Sequence, residues 1–214
     1  MSQNIKTTYS GIYIIILASG LAKRMGRRKL TLPFQGISII EHLLKKLEHI
    51  FVEGRKIVIP TQDDELMKIV SSFDCQIIYN ETPDKGMGHS LSLAIDSLPN
   101  TAEAAIILLG DQPKLCMNDI LEVCLEFKRR RLENDECPKV IIQMKYSDGP
   151  VGHPVLFTKH FFDELKALNG DVGGREIIQR NESFLFFCKS KNEYPKDVDS
   201  PDDYRQLLKE EGMN

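Results

Sequence analysis

The chain has 214 residues, 42% of them hydrophobic and 28% charged, which is too apolar for a disordered chain and enough for a packed core. A net charge of −3 argues against a general nucleic-acid binder, whose surface would be basic. The length suits one large α/β domain, and the lack of a fixed repeat excludes collagen-like and coiled-coil designs.

Residues 11–17 (GIYIIIL) are almost wholly apolar, as in a strand buried on both faces. Apolar residues at 39, 40, 43, 44, 47 and 50 set a helical period. Residues 56–59 read as a strand stopped by Pro60, and 63–73 as a helix with an acidic first turn. A short strand over 76–79 and a helix over 90–98 follow, then a second fully buried strand over 104–109 (AAIILL). Residues 119–132 form an expected helix with a basic end. The second half predicts strands over 140–144, 155–157 and 184–188, and helices over 161–168, 175–179 and 201–209, the last with Pro201 in its first turn. This alternation predicts an α/β fold: a doubly wound, mostly parallel sheet with helices on both faces, in a single domain.

No apolar run approaches the ~20 residues of a membrane span, and no secretory leader is evident. The five cysteines, at 75, 116, 124, 137 and 188, include no C-x-x-C pair. A cytoplasmic, reducing location is therefore expected rather than a disulfide framework or a zinc ribbon, with no membrane and no nucleic-acid partner.

Ligands of doubly wound sheets sit outside the carboxyl ends of the strands, here the loops after Leu17, Tyr79 and Leu109. The first loop, LASGLAKRMGRRKLTL (17–32), holds Gly20, Gly26 and five basic residues: Lys23, Arg24, Arg27, Arg28 and Lys29. Glycines let backbone N–H groups approach phosphate oxygens, and Arg or Lys supplies the counter-charge; a solvated basic loop is the plainer alternative. The loop is neither a Walker A motif nor a dinucleotide fingerprint, because Met25 and Ala22 stand where glycines are needed. In the loop after residue 109, GDQP places Asp111 where a carboxylate can hold Mg²⁺ beside substrate phosphates, or can simply serve a turn. In DVDSPDDY (197–204), Ser200 is the expected helix N-cap and Asp202 and Asp203 are helix-end charges. Asp197 and Asp199, in extended chain, are expected to point to one side and to complete a metal site with Asp111.

Taken in order, ILASGLAKRMGRRKLTLPFQG (16–36), NETPDKGMGHSLSLAI (80–95), LLGDQP (108–113), GHPVLF (152–157), GDVGGREII (170–178) and DVDSPDDY resemble the molybdenum cofactor cytidylyltransferases, a branch of the MobA-like NTP transferases. The first block is shared by several nucleotidyltransferase families, whereas GMGHSL, GDQP and GHPVLF together are more specific. The resemblance implies a Rossmann-like nucleotidyltransferase fold, with a nucleotide-binding half over about 11–115 and an acceptor half over about 116–214. It implies transfer of CMP from CTP to molybdopterin with release of pyrophosphate, for the benefit of a molybdenum hydroxylase or its insertion chaperone.

Arg24, Lys29 and Asp111 would be catalytic. Leu17, Ala18, Ser19, Gly20, Arg24, Lys29, Asn80, Gly86, Met87, Ser90 and Gln112 would bind the nucleotide. Gly152, His153, Pro154, Asp171, Gly174 and Arg175 would bind the acceptor. Asp111 and Asp199 would hold Mg²⁺, or Mn²⁺ in its place. For Ser90 a plain helix cap, for His153 packing on a strand, and for the 170–175 loop a helix end and restart are the alternatives. Ala18-Ser19-Gly20 departs from the more frequent Ala-Ala-Gly and keeps the small size. Guanylyl transfer, a sugar or polyol phosphate as acceptor, and a non-catalytic cofactor carrier or chaperone are the competing functions.

Overall fold

The isoleucine-rich run near the start forms β1 (Tyr9–Leu17) and becomes the middle of the sheet. The computed structural model describes residues 9–20, 25, 29–50, 52–60, 62–133 and 136–212. After β1 come a small hairpin, β2 (Pro33–Phe34) and β3 (Ile37–Ser38), then α1 (Ile39–Leu47), β4 (Val52–Pro60), α2 (Asp64–Val70) and β5 (Gln76–Asn80). The chain continues through α3 (Met87–Asp96), β6 (Ala104–Leu109), α4 (Met117–Leu132), β7 (Ile141–Lys145) and β8 (Val151–Thr158). It closes with α5 (Phe162–Lys166), α6 (Arg175–Arg180), β9 (Leu185–Lys189) and α7 (Pro201–Glu210).

The seven-stranded sheet has the order β5-β4-β1-β6-β8-β7-β9. β1 pairs in parallel with β4 and β6, β4 with β5, and β7 with β9, while β8 runs antiparallel to both its neighbours. The expected mostly parallel, doubly wound sheet is the observed one. The reversal at β8 comes from the short connection after β7, where the Tyr146 N–H donates to the Pro150 carbonyl at 2.9 Å and Gly149 takes φ +105°. A turn this tight can only join antiparallel strands.

Alternate side chains of β1 serve opposite faces, because strand side chains alternate. Ile12, Ile14 and Ile16 pack in one core layer with residues of α1, α2, α4 and α7. Ile15 and Leu17 pack in the other with α3, α5 and α6. Ile14, Ile15 and Ile16 are fully buried, each contributing roughly 1.5–3 kcal/mol of apolar burial.

Local boundaries differ from the expectation in instructive places. β4 and β8 are longer than expected, since pairing partners extend a strand past its most apolar stretch. α3 starts at Met87 with Gly86 as N-cap, so Ser90 lies in the first turn rather than capping the helix. The helix expected over 161–168 is a 3₁₀ turn (Lys159–Phe161) followed by the short α5. Ser200 does cap α7, in a reciprocal capping box with Asp203. Among the described residues no helix is long and apolar enough to cross a membrane.

Candidate active site

Leu17 and Leu109 are register partners at the carboxyl ends of β1 and β6, so the loops that follow them leave the sheet side by side. Gly110 donates its N–H to the Leu17 carbonyl at 3.0 Å. A Cβ on Gly110 would lie 2.9 Å from Ile40 Cδ1 and 3.3 Å from the Leu17 carbonyl oxygen, a tight fit. The next residue, Asp111, accepts the Val198 N–H on its own carbonyl at 3.1 Å, which ties in the segment before α7. A 3₁₀ turn (Lys29–Thr31) delivers Lys29 to the same point.

Here three distant segments meet through charge. The Lys29 ammonium donates to Asp111 Oδ2 and to Asp199 Oδ1, the latter at 2.6 Å. The lysine and Asp111 side chains are 11% and 15% exposed, and that of Asp199 is half exposed. Burial works to lower the pKa of Lys29, but the two carboxylates outweigh it and hold the ammonium above its ordinary value. Burial also pushes the Asp111 carboxyl up, against the pull of Lys29. Its other oxygen, Oδ1, is buried and has no hydrogen-bond partner among the described residues.

A third carboxylate, Asp197, is raised to about 6 by burial and then by the nearby Asp111 charge. It accepts from Gln112 Nε2 at 2.7 Å. Gln112 itself is fully buried behind the cleft, 3.5 Å from the Tyr194 hydroxyl.

A cleft of about 420 Å³ runs from these carboxylates towards the amino end of α3. At that far end a chain of neutral hydrogen-bonding groups, Asn80, Ser90 and Ser19, meets the lining, which also includes the Asp84 and Asp171 carboxylates. Asn80 is fully buried, takes the Thr82 N–H on Oδ1 at 2.9 Å, and donates from Nδ2 to Ser90 Oγ at 3.0 Å. Ser90 Oγ lies 2.5 Å from Ser19 Oγ, which joins the loop after β1 to α3. Gly86 (φ +91°) and Gly88 let the 169–174 loop press on the helix start, with the Gly88 N–H donating to the Gly170 carbonyl at 2.9 Å. A Cβ at Gly86 would sit 2.4 Å from Asp171 Oδ1, and one at Gly88 would sit 2.4 Å from the Val172 carbonyl oxygen.

Of the residues singled out from the sequence, Leu17, Ala18, Ser19, Gly20 and Lys29 line the cleft, as do Gly86, Met87 and Ser90, and Asp111, Asp171 and Asp199. Asp197 lines it too, on the same side as Asp199, as its alternation with Asp199 suggests. Asn80 and Gln112 are buried behind it. Arg24 lies outside the described residues. Gly152, His153, Pro154, Gly174 and Arg175 are not among the lining residues.

The glycine of GHP makes room for Tyr194, whose ring would be 2.5 Å from a Cβ at position 152. Tyr146 meets Tyr194 edge to face and donates its hydroxyl to the His153 carbonyl. The His153–Pro154 peptide is cis. Burial of the half-buried His153 imidazole pushes its pKa down to about 4 and keeps it neutral at pH 7. Gly174 similarly faces Phe157, 3.0 Å from where its Cβ would be. Sequence reasoning missed Tyr194, which lies outside every motif, and Asp84, which lies inside the 80–95 block without being singled out; Asp84 lines the α3 end of the cleft.

Hard carboxylate oxygens, one of them unpartnered, suit a divalent cation such as Mg²⁺ or Mn²⁺. No group of three or more metal-ligating side chains gathers among the described residues. Two carboxylates are what Mg²⁺ ordinarily takes from a protein when substrate phosphates complete its shell.

Comparison with known proteins meets this geometry from the other side. The family described as the MobA-like NTP transferase domain matches residues 14–184. The Bacillus subtilis purine catabolism protein PucB is 27% identical over 206 residues, 89% of this chain and 92% of PucB. The crystal structure of an Rv0371c homologue from Mycobacterium sp. strain JC1 superposes with a TM-score of 0.80 at 25% identity, over 94% of this chain and 96% of that one. Rv0371c of Mycobacterium tuberculosis H37Rv, solved as a manganese complex, shares the fold with a TM-score of 0.74 at 24% identity, over 92% of this chain and 98% of that one. With its glycine loop, lysine and carboxylates gathered at the carboxyl ends of β1 and β6, the chain belongs to the MobA-like NTP transferase domain family and is a nucleotidyltransferase.

Proposed function

We propose that this nucleotidyltransferase transfers CMP from CTP to molybdopterin and releases pyrophosphate. The observation that carries the reading is the polarity of the cleft. Lys29 and the Asp111–Asp199 pair stand at one end, and the neutral Ser19–Ser90–Asn80 chain stands at the other. Triphosphate belongs at the charged end, and base and ribose at the neutral end. Backbone groups of residues 17–20 approach the phosphates, Lys29 binds them, and Arg24 is expected to add a second cation. Asn80, Gly86, Met87 and Ser90 shape the nucleoside pocket, while Gln112 serves the nucleotide from behind the charged end by holding Asp197.

A terminal phosphate oxygen of the acceptor attacks the α-phosphorus in line. The bond from that phosphorus to the bridging oxygen breaks, and pyrophosphate leaves with the electron pair. A phosphate nucleophile is already anionic, so no general base is needed, and positioning with charge neutralisation is the protein's task. Asp111 and Asp199 would hold Mg²⁺ or Mn²⁺, which supplies Lewis-acid neutralisation of phosphate charge. The manganese complex of Rv0371c supports a divalent ion here. The acceptor is assigned to the half beyond residue 116, with Asp171, Gly174 and Arg175 from one loop and Gly152, His153 and Pro154 from β8. Since His153 is neutral, it would serve by shape or hydrogen bonding and not as a cation. Service to a molybdenum hydroxylase in a cytoplasmic setting goes with this reading; PucB is named for purine catabolism.

The test is calorimetry with CTP, GTP and ATP, with and without Mg²⁺, followed by pyrophosphate release with molybdopterin and with a panel of sugar and polyol phosphates. CTP preference and turnover on molybdopterin are expected. GTP preference would convert the product to the guanylyl form, and turnover on a sugar or polyol phosphate alone would replace the acceptor. Nucleotide binding without any turnover would favour a carrier or chaperone.

A further inference from the structure

The Lys29 ammonium lies between one oxygen of Asp111, from the middle of the chain, and one of Asp199, 170 positions after the lysine. Its side chain is nearly buried there, so the contact is built into the fold and is not a surface encounter. Lys29, Asp111 and Asp199 together carry a net charge of −1; the unpartnered Asp111 Oδ1 gives an ion a first foothold, but an ion held by both carboxylates would leave the ammonium facing a like charge at close range. Lysine is the cation suited to leaving, being a point charge on a flexible four-carbon stem. The cleft that receives triphosphate opens directly beside it.

We propose that Lys29 is the resident counter-cation of the Asp111–Asp199 pair and that a divalent ion takes the pair only by displacing it. The displaced ammonium swings to the nucleotide's phosphates, so ion and nucleotide help each other to bind. This inference rests on the reading of Asp111 and Asp199 as the ion's ligands. It goes beyond that reading by making Lys29 the competitor of the ion before it becomes a partner of the phosphates. Binding linkage is reciprocal, so the nucleotide must raise ion affinity by the same factor as the ion raises nucleotide affinity.

Two measurements on the whole chain, nucleotide-free except where CTP is named, test it. The first is Mn²⁺ binding by electron paramagnetic resonance in wild type, Lys29→Met and Asp111→Asn. Lys29→Met is expected to bind Mn²⁺ at least tenfold more tightly than wild type, and Asp111→Asn to lose binding. The second follows the Lys29 ammonium by nitrogen NMR during Mg²⁺ titration of wild type, with the signal assigned by its loss in Lys29→Arg. Mg²⁺ saturation is expected to move that ammonium from a protected signal to a solvent-exchanging one.

An ammonium signal that stays in place while Mg²⁺ saturates an Asp111-dependent site would show lysine and ion bound side by side, and would overturn the displacement. So would Lys29→Met with unchanged Mn²⁺ affinity. Failure of Mn²⁺ to bind wild type and Lys29→Met alike, with CTP present or absent, would overturn the ion site itself and the inference with it. The NMR arm uses wild-type protein, so it decides the matter even if Lys29→Met does not fold.

Discussion

The two ends of the cleft are assembled by different physics. At the carboxylate end, Lys29, Asp111 and Asp199 are drawn from three segments and joined by charge through flexible side chains. At the other end, Gly86, Gly88 and the 169–174 loop meet backbone to backbone, with no room for a methyl group. The charged end tolerates small displacements and is sensitive to charge. The glycine end is intolerant of volume. An active site that must accept a highly charged triphosphate and still discriminate a flat base has use for both.

The largest expected effect comes from breaking the charged end. Asp111→Asn should lower turnover about 10³-fold, the scale of removing a group that stabilises developing charge, while the protein keeps its fold. Steady-state pyrophosphate release reads this directly; a loss under tenfold would mean that the chemistry does not depend on this end. At the glycine end, Gly88→Ala places a Cβ 2.4 Å from the Val172 carbonyl oxygen. That overpacking should cost roughly 1–3 kcal/mol, seen as a drop in Tm, together with about a tenfold rise in the KM for CTP. Gly20 has no heavy atom within 4 Å of its would-be Cβ, so Gly20→Ala should leave Tm unchanged and serves as the control. Equal Tm losses in the two variants would erase the contrast between the ends.

A smaller effect concerns pH. The Asp197 carboxyl sits at about 6 in the folded protein, above its ordinary 3.8. Its protonated form is therefore favoured by folding; that contribution is complete below pH 3.8 and is lost as pH rises through 6. Asp197→Asn keeps an oxygen for Gln112 and removes the charge, so it should stabilise the protein by about 1 kcal/mol at pH 8, allowing for solvent screening of this partly exposed group. At pH 4 the variant should gain nothing. Thermal melts at the two pH values check this, and an equal gain at both would rule out ionisation as the cause. The smallest expected change is Ser200→Ala, which removes the hydroxyl that accepts the Asp203 N–H and should cost about 1 kcal/mol or less of stability.

Much of the frame was legible in the chain. The runs of β1 and β6 announce their double-sided burial by composition alone, and Ser200-Pro201 announces the start of α7. Asp111 and Lys29 stood out because an acid at a strand end and a lysine in a basic glycine loop are chemically marked. Other features were hidden because they depend on what comes near in space. Nothing local to residues 151–158 states that β8 runs backwards; the turn before it and the gap beside β6 decide that. The helix-cap alternative for Ser90 fails because Gly86 takes that position, which frees the serine hydroxyl to meet Ser19 and Asn80. The glycine of GHP answers to Tyr194, more than forty positions later, and no spacing rule would pair them.

The capping box of α7 reaches further than its helix. The Asp203 carboxylate accepts not only the Ser200 N–H at 2.7 Å but also that of Asp199 at 3.2 Å. The helix is itself pinned to the β2–β3 hairpin by the Tyr204 hydroxyl on the Pro33 carbonyl at 2.5 Å and to Lys114 through Glu210. The backbone that aims Asp199 is thus held from two sides, by the ten-residue helix α7 and by the Val198 N–H on the Asp111 carbonyl. Such a helix detaches at lower free energy than a buried strand. Fluctuations that leave the seven strands intact can therefore still loosen one half of the carboxylate pair, and the local stability of α7 limits how long the pair stays fully formed.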